Sequence, residues 1–204
     1  MRNTISRFVT TSIVMTLVTF ALAQDQQLPP GEGFTIAVLT EKPVNELPAG
    51  PLYWTLETFP TLAEAEAAAG PYGLAAEAGG QVWLFTLGAK DSGGAGGTFV
   101  TEIGPLPEVD APSYLLRVNE ANAVPGGSTS VHFHPGAEAF YALSGTISLR
   151  TADAVMSIDA GEHMAGHTAG TVMQVFNDGT TDLHGLVMFV VDATQPFSTK
   201  AAFQ

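Results

Sequence analysis

Two histidines and a glutamate in one short stretch have the types and spacing of a metal site. Residues 131–138 read VHFHPGAE, so one residue separates His132 from His134, and Glu138 follows a Pro-Gly pair. Side chains two residues apart on a strand project to the same side, and a turn at Pro-Gly would return Glu138 beside the imidazoles. Such a set suits a divalent first-row transition metal, here Fe, Mn, Ni, Zn or Cu. The alternative is a pair of surface histidines on an edge strand.

The flanking residues extend this stretch into a longer spaced motif. The positions that it fills are Gly126, His132, His134, Glu138 and Gly145. This spacing resembles the first motif of the cupin superfamily. The resemblance implies an all-β jelly-roll barrel over residues 113–204 with the metal inside its mouth. Glu138 would be a metal ligand there and, if its carboxylate dissociates from the metal, a catalytic general base.

The second cupin motif departs from its usual pattern. Cupins usually supply a final histidine four residues before an asparagine, and counting back from Asn177 reaches Met173. Met173 would then either fill space or coordinate through its thioether, which favours a soft ion such as Cu(I). A third possibility is that His163 or His167 supplies the fourth donor from the preceding segment.

Other polar side chains have weaker claims to a role in the site. Tyr141 has the opposite strand parity to Glu138 and should face away from the metal. Arg117 and Arg150 are possible substrate contacts, and His184 is expected to pack on the last long strand.

Many short apolar segments separated by turns predict a mainly β fold. Residues 61–70 (TLAEAEAAAG) predict one short helix with Thr61 as its N-cap. Residues 73–88 predict a hairpin that turns at Gly79-Gly80. The predicted strands are FTIAVLT (34–40), LYWTLETF (52–59), TFVTEI (98–103), YLLRV (114–118), TSVHF (129–133), AFYALSGTISLR (139–150), AVMSI (154–158), TVMQVF (171–176) and LHGLVMFVV (183–191).

The chain divides into four predicted segments. Residues 1–23 have the basic start, apolar run and Ala-x-Ala end of a signal peptide, which predicts export to the periplasm or outside the cell and no membrane anchor after cleavage. Residues 24–33 predict a flexible leader. Residues 34–112 predict an extension of extra strands and one helix that packs on the barrel or across a homodimer interface, and 113–204 form the barrel.

Composition limits the partners. The chain has 7 basic and 20 acidic residues, and removing Arg2 and Arg7 with the predicted signal peptide gives a net charge of −15. Such a surface repels nucleic acid and anionic lipid. There is no cysteine, so no thiolate is available as a nucleophile or ligand. A small molecule is the expected partner.

Two functions compete at this stage. The first is a metal-dependent dioxygenase acting on a small organic substrate, with substrate and oxygen in the open coordination positions. The second is a non-catalytic cupin that binds a metal or small ligand for sensing or storage, which the loss of the usual second-motif histidine favours. Whether the protein is an enzyme stays open, because one fold hosts both functions.

Overall fold

Fourteen β-strands and one short helix make up the part of the chain described by this computed structural model, residues 32–92 and 94–204. The elements are β1 (Phe34–Val44), β2 (Leu52–Phe59), α1 (Leu62–Ala68), β3 (Gly73–Ala78), β4 (Gln81–Ala89), β5 (Thr98–Ile103), β6 (Tyr114–Ala123), β7 (His132–Phe133), β8 (Gly136–Ser144), β9 (Thr146–Arg150), β10 (Val155–Asp159), β11 (His163–Ala165), β12 (Gln174–Phe176), β13 (Leu183–Asp192) and β14 (Thr199–Lys200).

The elements with strong local signals form where the sequence predicts them. Thr61 caps α1, because its hydroxyl accepts a hydrogen bond from the backbone N–H of Glu64 at 3.3 Å. Gly79 and Gly80 join β3 to β4 with φ values of +57° and +71°, which residues with a side chain rarely adopt. The predicted helix and hairpin are therefore confirmed.

A five-stranded antiparallel sheet, in the order β1-β6-β13-β8-β11, forms the centre of the molecule. The extension contributes its edge strand, since β1 pairs with β6 from Phe34↔Ala123 to Val44↔Tyr114. β6 continues five residues beyond the predicted segment 114–118, because β1 and β13 pair with it on both sides. Long-range pairing thus makes a strand of Asn119–Ala123, whose asparagine, glutamate and alanines have little strand propensity.

A second sheet of four strands, β3-β4-β2-β5, covers one face of the five-stranded sheet together with α1. The apolar residues between the two sheets, here called the outer cluster, include Trp54, Leu56, Phe85, Leu116 and Leu186, each 0% exposed. Fully burying each aliphatic side chain of this kind contributes about 1.5–3 kcal/mol to stability. Residues 52–103 therefore form a layer packed on the barrel strands.

Two smaller sheets, β10-β9-β12 and β14-β7, face the other side of the five-stranded sheet. The residues enclosed between them, here called the inner cluster, include Phe34, Phe140, Leu149, Val175 and Phe197. This double-layered antiparallel arrangement confirms the predicted all-β jelly-roll barrel. The predicted strand 171–176 is shorter than expected: β12 covers only Gln174–Phe176, and Met173 makes an isolated bridge to His132.

The C-terminal segment folds back over the end of the barrel. Its first turn is held by the Asp192 carboxylate, which accepts hydrogen bonds from the Thr194 backbone N–H at 2.8 Å and the Gln195 side chain at 2.6 Å. β14 then pairs with β7, with Thr199 opposite Phe133 and Lys200 opposite His132. The C-terminal segment is thereby tied to the strand on which His132 lies.

The predicted signal peptide and leader residues 24–31 lie outside the described residues. At the first described positions, the carbonyls of Glu32 and Gly33 accept hydrogen bonds from the loop after β6, at 3.4 Å from Ser128 and 3.1 Å from Val124. Within the described ranges, the only helix is α1, and it lacks the length and apolar character needed to cross a bilayer.

Candidate metal and ligand site

His132 lies on β7, His134 directly follows its end, and both side chains face the inside of the barrel. Their ring centroids are 4.9 Å apart, and the ring planes are nearly perpendicular at 86°. Both residues are buried, with exposed fractions of 8% and 5%. Met173 fixes the backbone of His132 through two hydrogen bonds, His132 N to Met173 O at 2.9 Å and Met173 N to His132 O at 2.8 Å. The pair therefore lines the barrel interior, as the alternation of strand side chains predicts.

Each imidazole has one nitrogen occupied by a backbone carbonyl. Nδ1 of His132 lies 2.7 Å from the Ser130 oxygen, and Nδ1 of His134 lies 2.7 Å from the Phe197 oxygen. A carbonyl only accepts hydrogen bonds, so both Nδ1 atoms carry the proton and both Nε2 atoms keep their lone pair. Histidine ligands of metals are usually oriented by such a second hydrogen bond.

Burial keeps both histidines neutral. Loss of hydration lowers the pKa of His134 to about 3, with a further contribution from the neighbouring charge of His132. Desolvation likewise lowers the pKa of His132 below its usual value. Metal ions bind the neutral form of histidine, so neither imidazole has to lose a proton at neutral pH.

Glu138 lies on β8 with its side chain 2% exposed. Its Oε1 atom is buried and has no hydrogen-bond partner among the described residues. Burial raises the pKa of Glu138 to about 8, so the ligand-free protein holds this group as a neutral acid at neutral pH. A buried polar atom without a partner is uncommon and indicates an absent ligand, ion or water.

Gly166 leaves room for the Glu138 side chain. Its backbone N–H donates to the Glu138 carbonyl at 2.8 Å. A Cβ atom at position 166 would lie 2.5 Å from Cγ of Glu138, so any larger residue would push the carboxyl group aside. The absence of a side chain at Gly166 therefore allows the Glu138 carboxyl group to occupy its position.

His132, His134 and Glu138 line one cavity of about 50 Å³. Most of its wall is apolar. The large apolar side chains on it are Phe34, Ile36, Phe140, Val175, Val187, Phe189 and Phe197. The cavity thus has a polar end formed by the three predicted ligands, and its hydrocarbon walls favour a small and weakly polar guest.

The donor chemistry fits a metal ion, although the side chains are not assembled around one point. Within residues 32–92 and 94–204, no three histidine or carboxylate groups lie close enough to form a ligand set. The fit is chemical: two neutral imidazoles with their Nε2 lone pairs, and an orphaned carboxyl oxygen, line one cavity. Binding an ion there requires the three side chains to close up and Glu138 to lose its proton.

Neither predicted fourth ligand lines the cavity. Met173 sits directly opposite His132, which places both side chains on the same face, and it is 2% exposed within the inner cluster. His167 has a buried Nε2 without a partner among the described residues, and desolvation lowers its pKa. Which of the two completes a ligand set stays a prediction.

The remaining polar candidates have structural surroundings. Tyr141 faces the outer cluster, as its strand parity predicts, with its ring 5.9 Å from that of Trp83. His184 pairs with Glu120, Nε2 to Oε1 at 2.6 Å. His163 contacts the Thr101 hydroxyl at 3.1 Å, which links β11 to β5.

Sequence reasoning missed the C-terminal contribution to the site. The Phe197 ring lies 4.8 Å from the His134 ring and 4.9 Å from the Phe189 ring, centroid to centroid. The guanidinium group of Arg117 lies over the Phe197 ring, with its carbon 4.1 Å from the ring centre, and it also forms an ion pair with Glu41. No local pattern in the segment around Phe197 indicates this contact, because it depends on the pairing of β14 with β7.

Comparisons with known proteins give only partial likenesses. No protein-family profile and no curated protein matches this chain. One similar solved structure is a polyketide cyclase from Streptomyces resistomycificus, at 21% identity over 44% of this chain and 62% of that chain, with a TM-score of 0.37. Another is an oxalate oxidase in complex with the substrate analogue glycolate, at 23% identity over 42% and 46%, TM-score 0.36. A third is a protein with a double-stranded β-helix domain from Klebsiella pneumoniae, at 21% identity over 43% and 75%, TM-score 0.36.

The chain spans less than two thirds of the cyclase and less than half of the oxalate oxidase. Each of these likenesses has a TM-score below 0.5. The antiparallel strand order and the two facing layers of this chain form a jelly-roll barrel, to which β1 adds an edge strand. The positions filled from Gly126 to Gly145 resemble those of the cupin superfamily.

Proposed function

We propose that this chain is an exported cupin-domain metalloprotein that binds a small, weakly polar molecule beside a divalent first-row transition metal. One observation carries the proposal. The Nδ1 atoms of His132 and His134 each bond a backbone carbonyl at 2.7 Å, which leaves both Nε2 lone pairs for a ligand beside the orphaned Glu138 oxygen.

His132 and His134 would hold the ion with Glu138 as the third ligand. A bound ion would supply Lewis acidity and, if it is redox-active, one-electron chemistry toward an organic ligand. Glu138 keeps a proton in the ligand-free protein and must release it to coordinate, so it is also the group in the cavity best placed to exchange a proton with a bound molecule. The carbonyls of Ser130 and Phe197 maintain the tautomer of the two imidazoles.

The apolar walls of the cavity favour neutral molecules over charged ones. Phe140, Val187 and Phe189 exclude water from one side of the three polar residues. A charged guest would lose hydration there without gaining a partner, whereas a neutral molecule with a hydrocarbon body gains burial. A dioxygenase-type oxidation of such a molecule is the enzymatic form of the proposal.

A binding role without catalysis is the second candidate. It is favoured by the occupation of the usual histidine position by Met173 and by the absence of any further histidine on the cavity wall among the described residues. The two forms share the metal and the cavity. Oxygen uptake by the iron- or manganese-loaded protein in the presence of small aromatic alcohols and diketones would separate them.

Metal analysis of purified protein tests the shared part. We expect about one bound divalent ion per chain, and a loss of most of it in His132→Ala, His134→Ala and Glu138→Ala. His184→Ala is the matched control, since this histidine pairs with Glu120 outside the cavity and should keep full metal content. Equal metal content in all five proteins, or none in the parent, would contradict the proposal.

Export is tested separately. The predicted cut after Ala23 would give a mature protein that begins at Gln24. The mass and N-terminal sequence of protein recovered from outside the cytoplasm should show that start. An intact residue 1 in exported protein, or retention of the whole pool inside the cell, would contradict it.

A further inference from the structure

One further polar group in the cavity wall has no role in holding a metal. Asn119 lies on β6 with its side chain 3% exposed, and it lines the same cavity as His132, His134 and Glu138. Its Oδ1 atom is buried and has no hydrogen-bond partner in the described chain. Leaving such an acceptor unsatisfied costs about 1–3 kcal/mol, so the folded protein bears this cost at a wall that a ligand would contact.

The strand partners of Asn119 offer no side-chain donor, since they are Val187 on β13 and Val38 on β1. Three hydroxyl groups and the neutral Glu138 carboxyl also line the cavity, but none of them lies within hydrogen-bond distance of Oδ1. A molecule that occupies the cavity can therefore supply the donor.

The cavity also limits the size of that occupant. Its volume is about 50 Å³. Each water-sized group needs about 10–15 Å³ on this scale, so the enclosed part of a ligand has about three to five non-hydrogen atoms. Aromatic rings at Phe34, Phe140 and Phe189 surround this space and favour a flat or branched hydrocarbon body.

We infer that Asn119 determines ligand specificity: its Oδ1 accepts a hydrogen bond from a hydroxyl or N–H group of a small, otherwise apolar molecule held against the His132–His134–Glu138 end of the cavity. The inference rests on the ligand-binding function proposed above. It adds the chemistry of the ligand, which carries a donor at the end that faces β6. Molecules of the same shape that lack the donor bind more weakly, because they give Oδ1 no hydrogen bond.

Pyrrole and furan provide a matched pair of probes. Both are flat five-membered rings of the size that fits, but only pyrrole has an N–H donor. We expect the purified protein to bind pyrrole about tenfold more tightly than furan, the ratio that one ordinary hydrogen bond gives. Titrations followed by ¹H–¹⁵N spectra give both affinities. The Asn119 side-chain amide signal should shift with pyrrole and not with furan.

Two variants assign the preference to Asn119. Asn119→Leu keeps the volume and removes the acceptor, so the ratio of affinities should fall to about one. Val187→Ala, its register partner on the same wall, changes the space for both probes alike and should keep the tenfold ratio. If Asn119→Leu does not fold, the amide shift in the parent protein decides. Equal affinities, a preference for furan, no binding of either probe, or a preference that survives Asn119→Leu would overturn the inference.

The same samples separate this inference from the metal proposal. Titrations are run on the metal-free and the zinc-loaded protein, and zinc content is measured in each. Asn119→Leu should bind zinc as the parent does, because Asn119 is no ligand. Protein that binds no zinc but prefers pyrrole contradicts the metal proposal and supports the role of Asn119. Protein that binds zinc without that preference overturns the Asn119 inference alone.

Discussion

The two faces of the five-stranded sheet carry different kinds of side chains. Across the middle of β6, β8 and β13, the outward positions are apolar and fully buried: Leu116, Val118, Ala139, Leu186 and Met188. The inward positions on the same strands include Arg117, Asn119 and Glu138 beside aromatic rings. Neighbouring residues on one strand therefore pack into the outer cluster on one side and line the candidate site on the other, and the two faces can be changed separately.

Removing β1 and the four-stranded sheet, which cover the outward face, should have the largest effect on folding. A fragment of residues 113–204 lacks β1 and the whole four-stranded sheet, which exposes the outer cluster and the open edge of β6. We expect an insoluble or molten product that binds dyes for exposed apolar surface and lacks dispersed amide signals. A chain that begins at Glu32 is the control and should fold. A soluble fragment with dispersed signals and bound metal would contradict the dependence.

Crowding the inner face should affect the site more than the fold. Gly166→Ala places a methyl group 2.5 Å from Cγ of Glu138, so the carboxyl group must shift. We expect a loss of about 1–3 kcal/mol in unfolding free energy, as for other overpacked positions, and weaker metal binding. Gly70→Ala is the control, because a Cβ there meets nothing within 4 Å. Urea unfolding and metal titration of both variants test this, and an unchanged metal affinity in Gly166→Ala would show that Glu138 is no ligand.

Acid–base behaviour distinguishes the inner face as well. The pKa of Glu138 rises from 4.5 in the unfolded chain to about 8 in the metal-free fold. Between these values the unfolded chain binds fewer protons, so stability falls as pH rises, by up to about 1.4 kcal/mol per pH unit. The pKa values of His132 and His134 are lowered, so below pH 6.5 the unfolded chain binds more protons at these two residues and they make stability rise with pH. The decline caused by Glu138 should therefore be visible from about pH 6.5 to 8.

Glu138→Gln should abolish that decline, a difference of about 2 kcal/mol across the window. The measurement is urea unfolding with a chelator present at several pH values. Glu77→Gln, an exposed glutamate on β3, should leave the decline in place. A parent protein whose stability is flat from pH 6.5 to 8 would show that Glu138 ionises normally.

The smallest expected effect concerns Met173. Met173→Leu nearly conserves volume and should cost less than about 1.5 kcal/mol. If the thioether only fills space, metal content and the choice between Cu(I) and Zn stay unchanged. Met173→His adds an imidazole opposite His132 and should tighten zinc binding. A change in Cu(I) preference on Met173→Leu would make the thioether a ligand, whereas loss of metal only in His167→Ala would assign the fourth position to His167.

The sequence predicts the elements whose causes are local. Thr61 caps a helix, Gly79-Gly80 turn a hairpin, and the alternation at His132 and His134 places both rings inside the barrel. What it misses depends on distant partners. Asn119 becomes part of a strand only because β1 and β13 flank it, and Phe197 reaches His134 only through the pairing of β14 with β7. The three polar candidates at one end of the cavity were therefore predictable, and the residues of the wall around them were not.

The hydrogen bond from His134 to the Phe197 carbonyl also has a consequence for the order of assembly. His134 and Phe197 are 63 residues apart in the chain. Synthesis proceeds from the N-terminus, so β6 to β13 leave the ribosome before this carbonyl does. The tautomer of His134 is thus fixed only after Phe197 has been synthesised. A nascent chain that ends before Phe197 can pair most of the barrel strands while the hydrogen bond that orients His134 is still missing.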